Sequence, residues 1–594
     1  MMIYSALLLW LLAFVFPIGL YPFQDFARGG VTVGAALLLF SYLFSKRSEV
    51  VYCPRIFVFL PLGLLGLLGS YHFTSPSISI SYNSYLVVLL ACGWISLSAA
   101  ELRSIYGKEF VVGRFASFLL LASMLCGLVG LLRYYGVLRH VIPLIAEDGD
   151  RLLGSLGQPN LTAVLLAIGF SALVFLKYQT SLIKGSWYYG ALLFLIYCGT
   201  LTGSRTWFVV MFAVFLVWGA HCFKFCSDSN NGNARLQQRF WPSLLISFCL
   251  FLGAIWGAPV FDNLVSKHLI DTGYVNRVSA ETMYKQREMV GSSGRVAEWR
   301  KVQSINVTSN EFWVGYGAGR YGVFSNEVAV KKHLQGNGAI WNNAHNIFIN
   351  FFIEFGVVGM LFILACCLYI ARMVFRAEMS VTNSFLVSII GVLGLHSLVE
   401  FSLWSLPFLS VFVISVSLLD KSFLIKFSDF KVKRGIVVLC LIVFLPLGGY
   451  VGRDALTVIG IMYKQNPDSN DRFALDDVRR SSIIGDKAAS VLILKFQPPI
   501  SGMSNALAQM RKLADWRPEP LFVLRKSSLL AATGQYEEAC LAITHMIKLY
   551  PITIEPLQKE LDYYSDQTSL DSDVYYKCIF LGVGSWLGAP ALSL

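Results

Sequence analysis

The sequence predicts an all-α polytopic membrane protein with about 12 to 13 transmembrane helices, a large extramembrane loop and a C-terminal helical domain. Of its 594 residues, 56% are hydrophobic and only 14% are charged, a ratio that no soluble domain needs. Apolar runs long enough to cross a bilayer recur along the chain. Basic residues cluster in every second loop between these runs, which is typical of a chain oriented in a membrane.

The predicted spans are apolar runs of about 17 to 25 residues, which is the length of a helix that crosses the hydrocarbon core. The first run lacks a basic n-region and a small-residue cleavage site, so we expect it to remain as a span. The spans cover residues 3–20, 31–45, 54–72, 84–100, 111–133, 161–177, 187–202, 206–222, 241–258, 346–371, 383–400, 403–420 and 435–452.

The distribution of Lys and Arg predicts which loops face the cytoplasm. The net charge of +12 does not indicate a nucleic-acid partner, because the basic residues form no single patch. The loop YHFTSPSISISYNS has no Lys or Arg and is assigned to the outer side, as is the C-terminal tail. The basic loops lie within residues 46–55, 103–114, 177–184, 224–239, 372–376 and 421–434.

This topology predicts two transmembrane regions and two outer parts. In the tail, Ala531, Gly534, Tyr536 and Ala539 fit a helix-turn-helix repeat of the tetratricopeptide kind. The predicted parts are the N-terminal transmembrane helices 1–258, the large outer loop 259–345, the C-terminal transmembrane helices 346–452 and the soluble helical domain 453–594.

The 12 cysteines include no CxxC pair and no Cys/His spacing typical of a metal site. Most lie in apolar runs, where a small polarizable side chain packs well. Cys540 and Cys578 lie in the tail, where an oxidising compartment would allow a disulfide. Two unpaired thiols are the alternative.

Polar clusters on the predicted outer side are the candidate functional sites. In GSLGQPN (154–160), Pro159 sets the turn, Asn160 is expected to cap the next helix, and Gln158 offers an amide to a ligand. A simple helix start is the alternative. In TGSRTW (202–207), Arg205 lies at a helix N-terminus, and both features favour an anion such as phosphate. An arginine that reaches lipid headgroups is the alternative.

The large outer loop contributes two further clusters. In GSSGRVAEWR (291–300), Arg295 occupies a first helical turn, where a bound anion would offset its unfavourable interaction with the helix dipole. A solvated surface arginine is the alternative. The GxGxxG match in GYGAGRYG (315–322) lacks a βαβ unit, so we expect a flexible turn near the site rather than a dinucleotide site.

The stretch NNAHNIFINFFIEFG (342–356) places His345 where a polar turn becomes an apolar helix. Asn342 and Asn343 are expected to cap that helix. Asn346, Asn350 and Glu354 are spaced by four residues and form one stripe, and polar groups at that depth usually face a cavity or the bundle interior. His396 and Glu400, in the stretch HSLVE, have the same spacing of four residues, so the carboxylate could orient the imidazole. A structural histidine that is simply hydrogen-bonded by the carboxylate is the alternative.

Arginines, a histidine and amides on the outer side suit a lipid-diphosphate-linked sugar. The arginines would bind the diphosphate, and the histidine would transfer a proton near neutral pH. No nucleotide motif and no acidic metal cluster is evident, so we expect no cofactor and no metal, with arginines neutralising the charge instead.

These stretches also resemble the O-antigen ligase superfamily, and the GQPN turn and the tail resemble its bacterial protein O-oligosaccharyltransferases. The resemblance covers nearly the whole chain. It implies a GT-C-like architecture in the bacterial inner membrane, with the active site and the tail facing the periplasm. It rests on GQPN at 157–160, SRT at 204–206, the turn at 294–295 with Trp299, and NAHN at 343–346 followed by EFG at 354–356.

The resemblance implies a role for several residues. It makes His345 the base or acceptor-site residue, Arg205 and Arg295 the diphosphate-binding arginines, and Gln158 a functionally important glutamine. The predicted catalytic residues are therefore His345, Arg205 and Arg295. The predicted substrate-binding residues are Gln158, Asn160, Arg320, Asn346, His396 and Glu400.

The predicted function is en bloc transfer of a preassembled glycan from undecaprenyl diphosphate to Ser or Thr of periplasmic proteins or pilins. The tail favours a protein acceptor, because repeat helices commonly bind polypeptide. The alternatives are an O-antigen ligase acting on lipid A core and an O-antigen polymerase. A lipid-linked glycan transporter is a more distant alternative, because the clusters lie on one side and no internal repeat is visible. A non-enzymatic scaffold would leave the arginines and the histidine unexplained.

Overall fold

The computed structural model divides into two compact units, which are described separately. Unit 1 comprises Met1–Leu62, Val87–Gly291 and Ala365–Leu445, and unit 2 comprises Gly63–Leu86, Ser292–Leu364 and Pro446–Leu594. The structure describes residues 2–15, 26–45, 51–54, 63, 79–138, 151–179, 183, 185–227, 234–272, 294–332, 341–420, 423–427, 430–482, 484–496, 502–516, 518–550, 553–566, 575 and 578–579.

Unit 1 is a bundle of apolar helices. They pack on one continuous core of aliphatic and aromatic side chains. The helices that lie wholly or partly in it are α1 (Met2–Val15), α2 (Phe26–Ser45), α3 (Ser79–Tyr106), α4 (Lys108–Tyr134), α5 (Pro159–Gln179), α6 (Gly185–Leu201), α7 (Arg205–Ser227), α8 (Ala234–Asp271), α12 (Ile347–Arg376), α13 (Val381–His396), α14 (Leu406–Leu419) and α15 (Phe430–Tyr463).

Helix α5 forms the centre of this bundle. Every residue from Leu161 to Leu176 is buried, and the helix packs against α4, α6, α7 and α13. A helix that is apolar on all faces is stable only when surrounded, which explains its central place. Polar side chains join the neighbouring helices: the Trp218 indole donates to Ser171 Oγ at 3.0 Å, and His221 Nδ1 lies 2.9 Å from Ser384 Oγ.

The predicted all-α polytopic membrane class is confirmed. Eight described helices are long and apolar enough to cross a membrane, and α1, α13 and α14 are shorter apolar helices. Each predicted span coincides with a helix except the third, residues 54–72, of which the structure describes only Pro54, the last residue of β1, and Gly63. The described part also contains a two-stranded antiparallel ribbon, β1 (Val51–Pro54) and β2 (Phe423–Phe427), with Val51 opposite Phe427.

Unit 2 combines the large loop with the tail. A 3₁₀ turn (Lys301–Ser304) follows the first loop helix, and the N-terminal part of α12 also belongs to this unit. The predicted boundaries after residues 258 and 452 fall inside α8 and α15. The helices of the loop and tail are α9 (Gly294–Arg300), α10 (Asn310–Val314), α11 (Tyr321–Lys331), α16 (Ser469–Ser481), α17 (Gly485–Lys495), α18 (Met503–Trp516), α19 (Pro520–Ala532), α20 (Tyr536–Leu549) and α21 (Ile554–Ser565).

The tail contains the predicted helix-turn-helix. Helix α19 ends at Ala532 and α20 begins at Tyr536, with Gly534 at φ +73° in the turn between them. Ala531 and Ala539 are fully buried between the helices, as small residues at a close crossing should be. Its assignment as a tetratricopeptide repeat stays a prediction.

A buried ion pair and a disulfide stabilise the tail core. Arg525 donates to Glu560 at 2.9 Å, and both side chains are buried. Cys540 and Cys578 form a disulfide, with their Cα atoms 5.3 Å apart. Of the two alternatives left open for these cysteines, the structure contains the bonded one.

Candidate functional site

The loop before α5 in unit 1 is held by two arginines, Arg28, which is buried, and Arg133, which is partly buried. Arg28 donates through its two terminal nitrogens to the carbonyl oxygens of Leu156 and Ser155, both at 2.8 Å. Arg133 donates to the carbonyl oxygen of Gly154 at 3.1 Å. A short loop cannot provide hydrogen-bond donors for all of its own carbonyl oxygens, and here guanidinium groups provide them. These bonds keep the loop in one conformation.

Two glycines in this loop have a left-handed backbone, and one of them, Gly154, lies close against the bundle. Gly154 and Gly157 have φ values of +66° and +68°. A Cβ atom on Gly154 would lie 2.5 Å from Thr162 Oγ1. Only glycine combines the left-handed conformation with that close contact.

The loop ends at Gln158, directly before the first residue of α5. Its side chain is partly exposed, and within the described residues no hydrogen bond engages its amide. Pro159 occupies the first helical position, where its missing N–H costs nothing. Gln158 is thus presented with its donors and acceptor available to a ligand.

Asn160 joins three segments rather than capping α5. Its amide nitrogen donates to Glu400 Oε1 at 2.5 Å, and its amide oxygen accepts from Ser204 Oγ at 2.7 Å and Arg151 Nη2 at 3.3 Å. The prediction that Asn160 caps the helix is wrong, because α5 already begins at Pro159. The amide is used for long-range positioning instead.

Arg205 is the first residue of α7, on the turn that Asn160 supports through Ser204. Its side chain is exposed, and no described residue forms an ion pair or hydrogen bond with its guanidinium. The N-terminus of α7 adds a partial positive charge at the same place. This arrangement is suited to an anion, phosphate above all.

The histidine and glutamate at the end of α13 are both buried. His396 is 0% exposed and Glu400 is 2% exposed, and the Glu400 main-chain N–H donates to the His396 carbonyl oxygen at 2.7 Å. Both were predicted to contact substrate. Their burial and the Asn160 bond favour a positioning role, in which Glu400 orients the α5 and α7 N-termini.

His345 in unit 2 has an unusual backbone conformation. Its φ is +49°, and it is the one non-glycine residue with positive φ in the described part of the chain. The turn is stabilised by Asn343, whose side-chain oxygen accepts from the His345 main-chain N–H at 3.0 Å. The imidazole is partly exposed and packs edge-on against Trp341, with ring centroids 5.2 Å apart.

The residue before His345 is fixed on both sides. The Ala344 main-chain N–H donates to Asn350 Oδ1 at 3.0 Å, and its carbonyl oxygen accepts from the Trp299 indole at 2.7 Å. Asn350 in turn donates to Glu354 Oε1 at 2.8 Å. Of the predicted polar stripe, Asn350 and Glu354 therefore point inward on this helix and support the histidine turn.

Asn346 caps α12. Its side-chain oxygen accepts from the main-chain N–H groups of Phe348 and Ile349 at 3.0 and 3.1 Å. The prediction that Asn342 and Asn343 cap this helix is wrong, because α12 begins at Ile347 and the cap is the residue before it.

Arg295 lies in the first turn of α9, the short helix that also contains Trp299. This helix is anchored by Glu298, whose buried carboxylate binds Lys301 at 2.5 Å and Ser325 at 2.8 Å. Burial raises the pKa of the Tyr321 phenol, and the nearby Glu298 carboxylate raises that pKa further. The tyrosine therefore remains a neutral hydrogen-bond donor toward Glu298.

The glycine-rich turn after α10 crosses α12 at a break in that helix. Gly356 has φ +65° and ψ −160°, so the helical ladder is interrupted. The main-chain N–H groups of Tyr316 and Gly317 donate to the carbonyl oxygens of Ile353 and Glu354 at 2.8 and 2.9 Å. The glycines thus allow main chains to meet, and the GxGxxG match needs no nucleotide to explain it.

Arg320 faces the tail. Its guanidinium donates to the Asp515 carbonyl oxygen at 3.5 Å, and Asn326 in α11 donates to Tyr550 Oη at 2.8 Å. Burial raises the pKa of Tyr550 to about 12, so this phenol also stays neutral. The large loop and the tail are joined directly within unit 2.

The predicted site residues therefore form two groups. Unit 1 contains Gln158, Asn160, Arg205, His396 and Glu400, and unit 2 contains Arg295, Arg320, His345 and Asn346. Among the described residues, no group of three or more His, Cys, Asp or Glu could coordinate a metal ion. Metal independence stays a prediction.

Three supporting arginines were missed from the sequence. Arg28, Arg133 and Arg151 bind the loops around Gln158 and Arg205, yet none lies in a recognisable motif. Arg28 and Arg133 lie at the predicted outer ends of apolar runs, and this position was the signal available for those two.

Two family models match the chain. One, described as O-antigen ligase, matches residues 190–364. The other, described as the C-terminal part of a virulence factor membrane-bound polymerase, matches residues 384–559. The first match includes Arg205, Arg295 and His345, and the second includes His396, Glu400 and most of the tail. No curated protein matches the chain.

Proposed function

The chain belongs to the O-antigen ligase superfamily, and we propose that it transfers a preassembled glycan en bloc from undecaprenyl diphosphate to Ser or Thr of periplasmic proteins such as pilins. Members of this superfamily transfer glycans in membranes as ligases or polymerases. The proposal adds the donor lipid, the protein acceptor and a periplasmic active site on the inner membrane.

The conformation of His345 is the observation that carries the proposal. A histidine with φ +49° costs stability and persists only where the surrounding contacts enforce it. Here Asn343, Asn350 and Trp299 bind the main chain at or beside it. Such strain clusters at active sites, where it holds a side chain in one orientation.

His345 would act as the general base. The acceptor hydroxyl oxygen attacks the anomeric carbon while the imidazole takes the hydroxyl proton. The bond from the anomeric carbon to the diphosphate oxygen breaks, and undecaprenyl diphosphate leaves with the electron pair. A single displacement of this kind inverts the anomeric configuration.

The arginines would stabilise the leaving diphosphate. Arg205 offers an exposed guanidinium at the N-terminus of α7, and no described residue pairs with that guanidinium. Arg295 is proposed for the same ligand class because α9 is anchored through Glu298 and Trp299, which fixes its first turn. A planar guanidinium binds two phosphate oxygens at once and needs no metal to do so.

The tail supports a protein acceptor and a periplasmic location. Its paired helices α18 to α20 resemble stacked helical repeats, which commonly bind polypeptide. The Cys540–Cys578 disulfide is the kind of bond that persists in the periplasm and is rare in the cytosol.

A second candidate is transfer of the same donor glycan to lipid A core or to another lipid-linked glycan. The descriptions of the two matching family models, a ligase and a polymerase, favour it. Its chemistry is identical, so the acceptor alone separates the two functions.

The test is intact-mass analysis of periplasmic and pilus proteins from cells that make a lipid-linked glycan. The chain, its His345→Ala variant and an empty vector are compared, with lipid A core analysed in parallel. A glycan-sized mass gain on Ser or Thr only with the intact chain supports the proposal. Glycan on lipid A core and on no protein establishes the second candidate instead.

A matched pair of arginine variants tests the leaving-group assignment. Arg205→Lys keeps the charge but loses the bidentate contact, so transfer should fall. Arg372→Ala removes another exposed arginine, on α12, and should leave transfer unchanged. Equal activity of both variants would remove Arg205 from the reaction.

A further inference from the structure

Unit 1 contains an apolar groove away from the predicted site residues. The groove has a volume of about 620 Å³ and is walled by α1, α2, α3, α4 and α14. Ala6, Ala36 and Ala99 leave the space between the helices open, and Leu7, Leu39 and Phe118 are among its apolar walls. Because Arg114 also lines it, we call it the Arg114 groove.

One end of the Arg114 groove is amphipathic. Tyr4 lies near the start of α1, Tyr42 near the end of α2, Tyr106 at the end of α3, and Arg114 in the second turn of α4. The end of α2, the end of α3 and the start of α4 adjoin loops that carry basic residues, and the predicted topology puts the start of α1 on the same side. Tyrosines and a cation at one level are typical of the boundary between headgroups and hydrocarbon.

Arg114 differs from the other basic residues at this end. Arg103 donates to the Asp420 carbonyl oxygen at 3.0 Å, and Lys108 donates to Asn383 Oδ1 at 2.5 Å. Arg114 is exposed, with its guanidinium 5.1 Å from the centroid of the Phe110 ring, and no described carboxylate pairs with it. Its charge is therefore available to a ligand.

The deeper part of the groove is suited to a hydrocarbon chain. The Trp10 indole donates to Ser410 Oγ at 2.9 Å, so its polar atom is already paired. Thr32 likewise donates to the Arg28 carbonyl oxygen at 2.8 Å. With these polar groups satisfied internally, the surface left to a ligand is mainly aliphatic and aromatic.

We propose that the Arg114 groove binds one anionic glycerophospholipid, with its phosphate on Arg114 and an acyl chain between α1 and α4. The guanidinium provides charge complementarity for the phosphate. The volume lies within the range of about 300–1,000 Å³ that is usual for ligand pockets. This site is independent of the glycan-transfer proposal, because none of its lining residues belongs to the predicted site.

The experiment is native mass spectrometry of the full chain in detergent, titrated with phosphatidylglycerol or phosphatidylcholine. The intact chain should bind one phosphatidylglycerol preferentially. Arg114→Ala should weaken that binding roughly tenfold, because a charge-assisted phosphate contact is lost. Arg376→Ala, at an exposed arginine outside the groove, should bind like the intact chain.

A second variant tests the chain-binding part. Ser117→Trp, one turn after Arg114, narrows the groove and should also reduce phosphatidylglycerol binding. Leu128→Trp places the same ring on an exposed face of α4 outside the groove and should leave phosphatidylglycerol binding unchanged.

Three results would overturn the proposal. One is equal binding of both phospholipids, and another is binding that survives Arg114→Ala and Ser117→Trp. The third is displacement of phosphatidylglycerol by undecaprenyl phosphate, with binding lost in Ser117→Trp but kept in Arg114→Ala. That result would assign the groove to a polyprenyl chain.

Discussion

Trp299 donates its indole N–H to the main-chain carbonyl oxygen of Ala344 at 2.7 Å, directly before His345 in the chain. This bond joins the helix that carries Arg295 to the turn that carries the histidine. Ala344 is fully buried, so its carbonyl has no access to water. The two predicted catalytic residues of unit 2 are thus positioned through one side chain.

Trp299→Phe should therefore reduce glycan transfer without unfolding the protein. The ring still fills its place, but the buried Ala344 carbonyl loses its donor, at a cost of about 1–3 kcal/mol. We expect roughly tenfold slower transfer, because small displacements of a catalytic group are costly. The measurement is the single-turnover rate of glycan transfer by the variant and by the intact chain, with purified donor and acceptor. Trp313→Phe, at an exposed tryptophan, is the control, and an unchanged rate in Trp299→Phe would contradict the prediction.

His345→Asn should distinguish the contribution of the imidazole to transfer from the contribution of the backbone conformation. Asparagine adopts positive φ more readily than most residues, so the turn should persist. Transfer should still fall by about 10²–10⁴-fold if the ring is the general base. The comparison with His345→Gly, which removes all backbone strain, uses the same rate assay. Activity within a few-fold of the intact chain in either variant rules out the base assignment.

The crossing of the glycine-rich turn and α12 should be intolerant of a methyl group. A Cβ on Gly315 would lie 2.4 Å from the Glu354 main chain, and one on Gly356 would lie 2.2 Å from the Trp313 main chain. Either change to Ala should destabilise unit 2 by more than about 2 kcal/mol. Thermal unfolding of the full chain tests this. Gly460→Ala, in a helix with open space, should be neutral or stabilising, and similar midpoints for all three would refute the crossing.

Asn160 and Glu400 should be energetically coupled. Glu400→Ala and Asn160→Ala each remove one partner of this hydrogen bond, whereas the double variant removes both. A double-mutant cycle on unfolding free energy should give a coupling of about 1.5–3 kcal/mol. Strict additivity would mean that the 2.5 Å contact contributes nothing to stability.

The tail disulfide should protect both cysteines from alkylation. In intact cells a membrane-impermeant maleimide should not label the tail, whereas Cys578→Ser should leave the partly exposed Cys540 thiol able to react with the reagent from the periplasmic side. The bond spans 38 residues, so loss of both cysteines should lower stability by about 4 kcal/mol. Labelling of the tail in the unreduced intact chain would contradict the bond, and labelling of Cys578→Ser only after cell lysis would contradict the location.

Much of the architecture could be predicted from the sequence because it depends on local quantities. The length and apolarity of each run determined the helices. For example, α5 is a continuous apolar segment in the sequence, and in the structure it is the buried centre of unit 1. The helix-turn-helix around Gly534 was visible for the same reason: its spacing is short. Polar clusters such as GSLGQPN also stood out against apolar surroundings.

Other features were decided only by the tertiary structure, because they depend on residues far apart in the chain. The sequence predicts that Asn160 caps a helix, whereas in the structure its amide nitrogen donates to Glu400, which lies 240 residues away in the chain. The positive φ of His345 occurs where Asn343 accepts from its main-chain N–H and where Trp299 and Asn350 bind the preceding residue, Ala344. The sequence by itself therefore determined which helices form and which polar residues stand out in apolar surroundings. Long-range packing decided which of those residues position other parts of the protein and which are presented to a ligand.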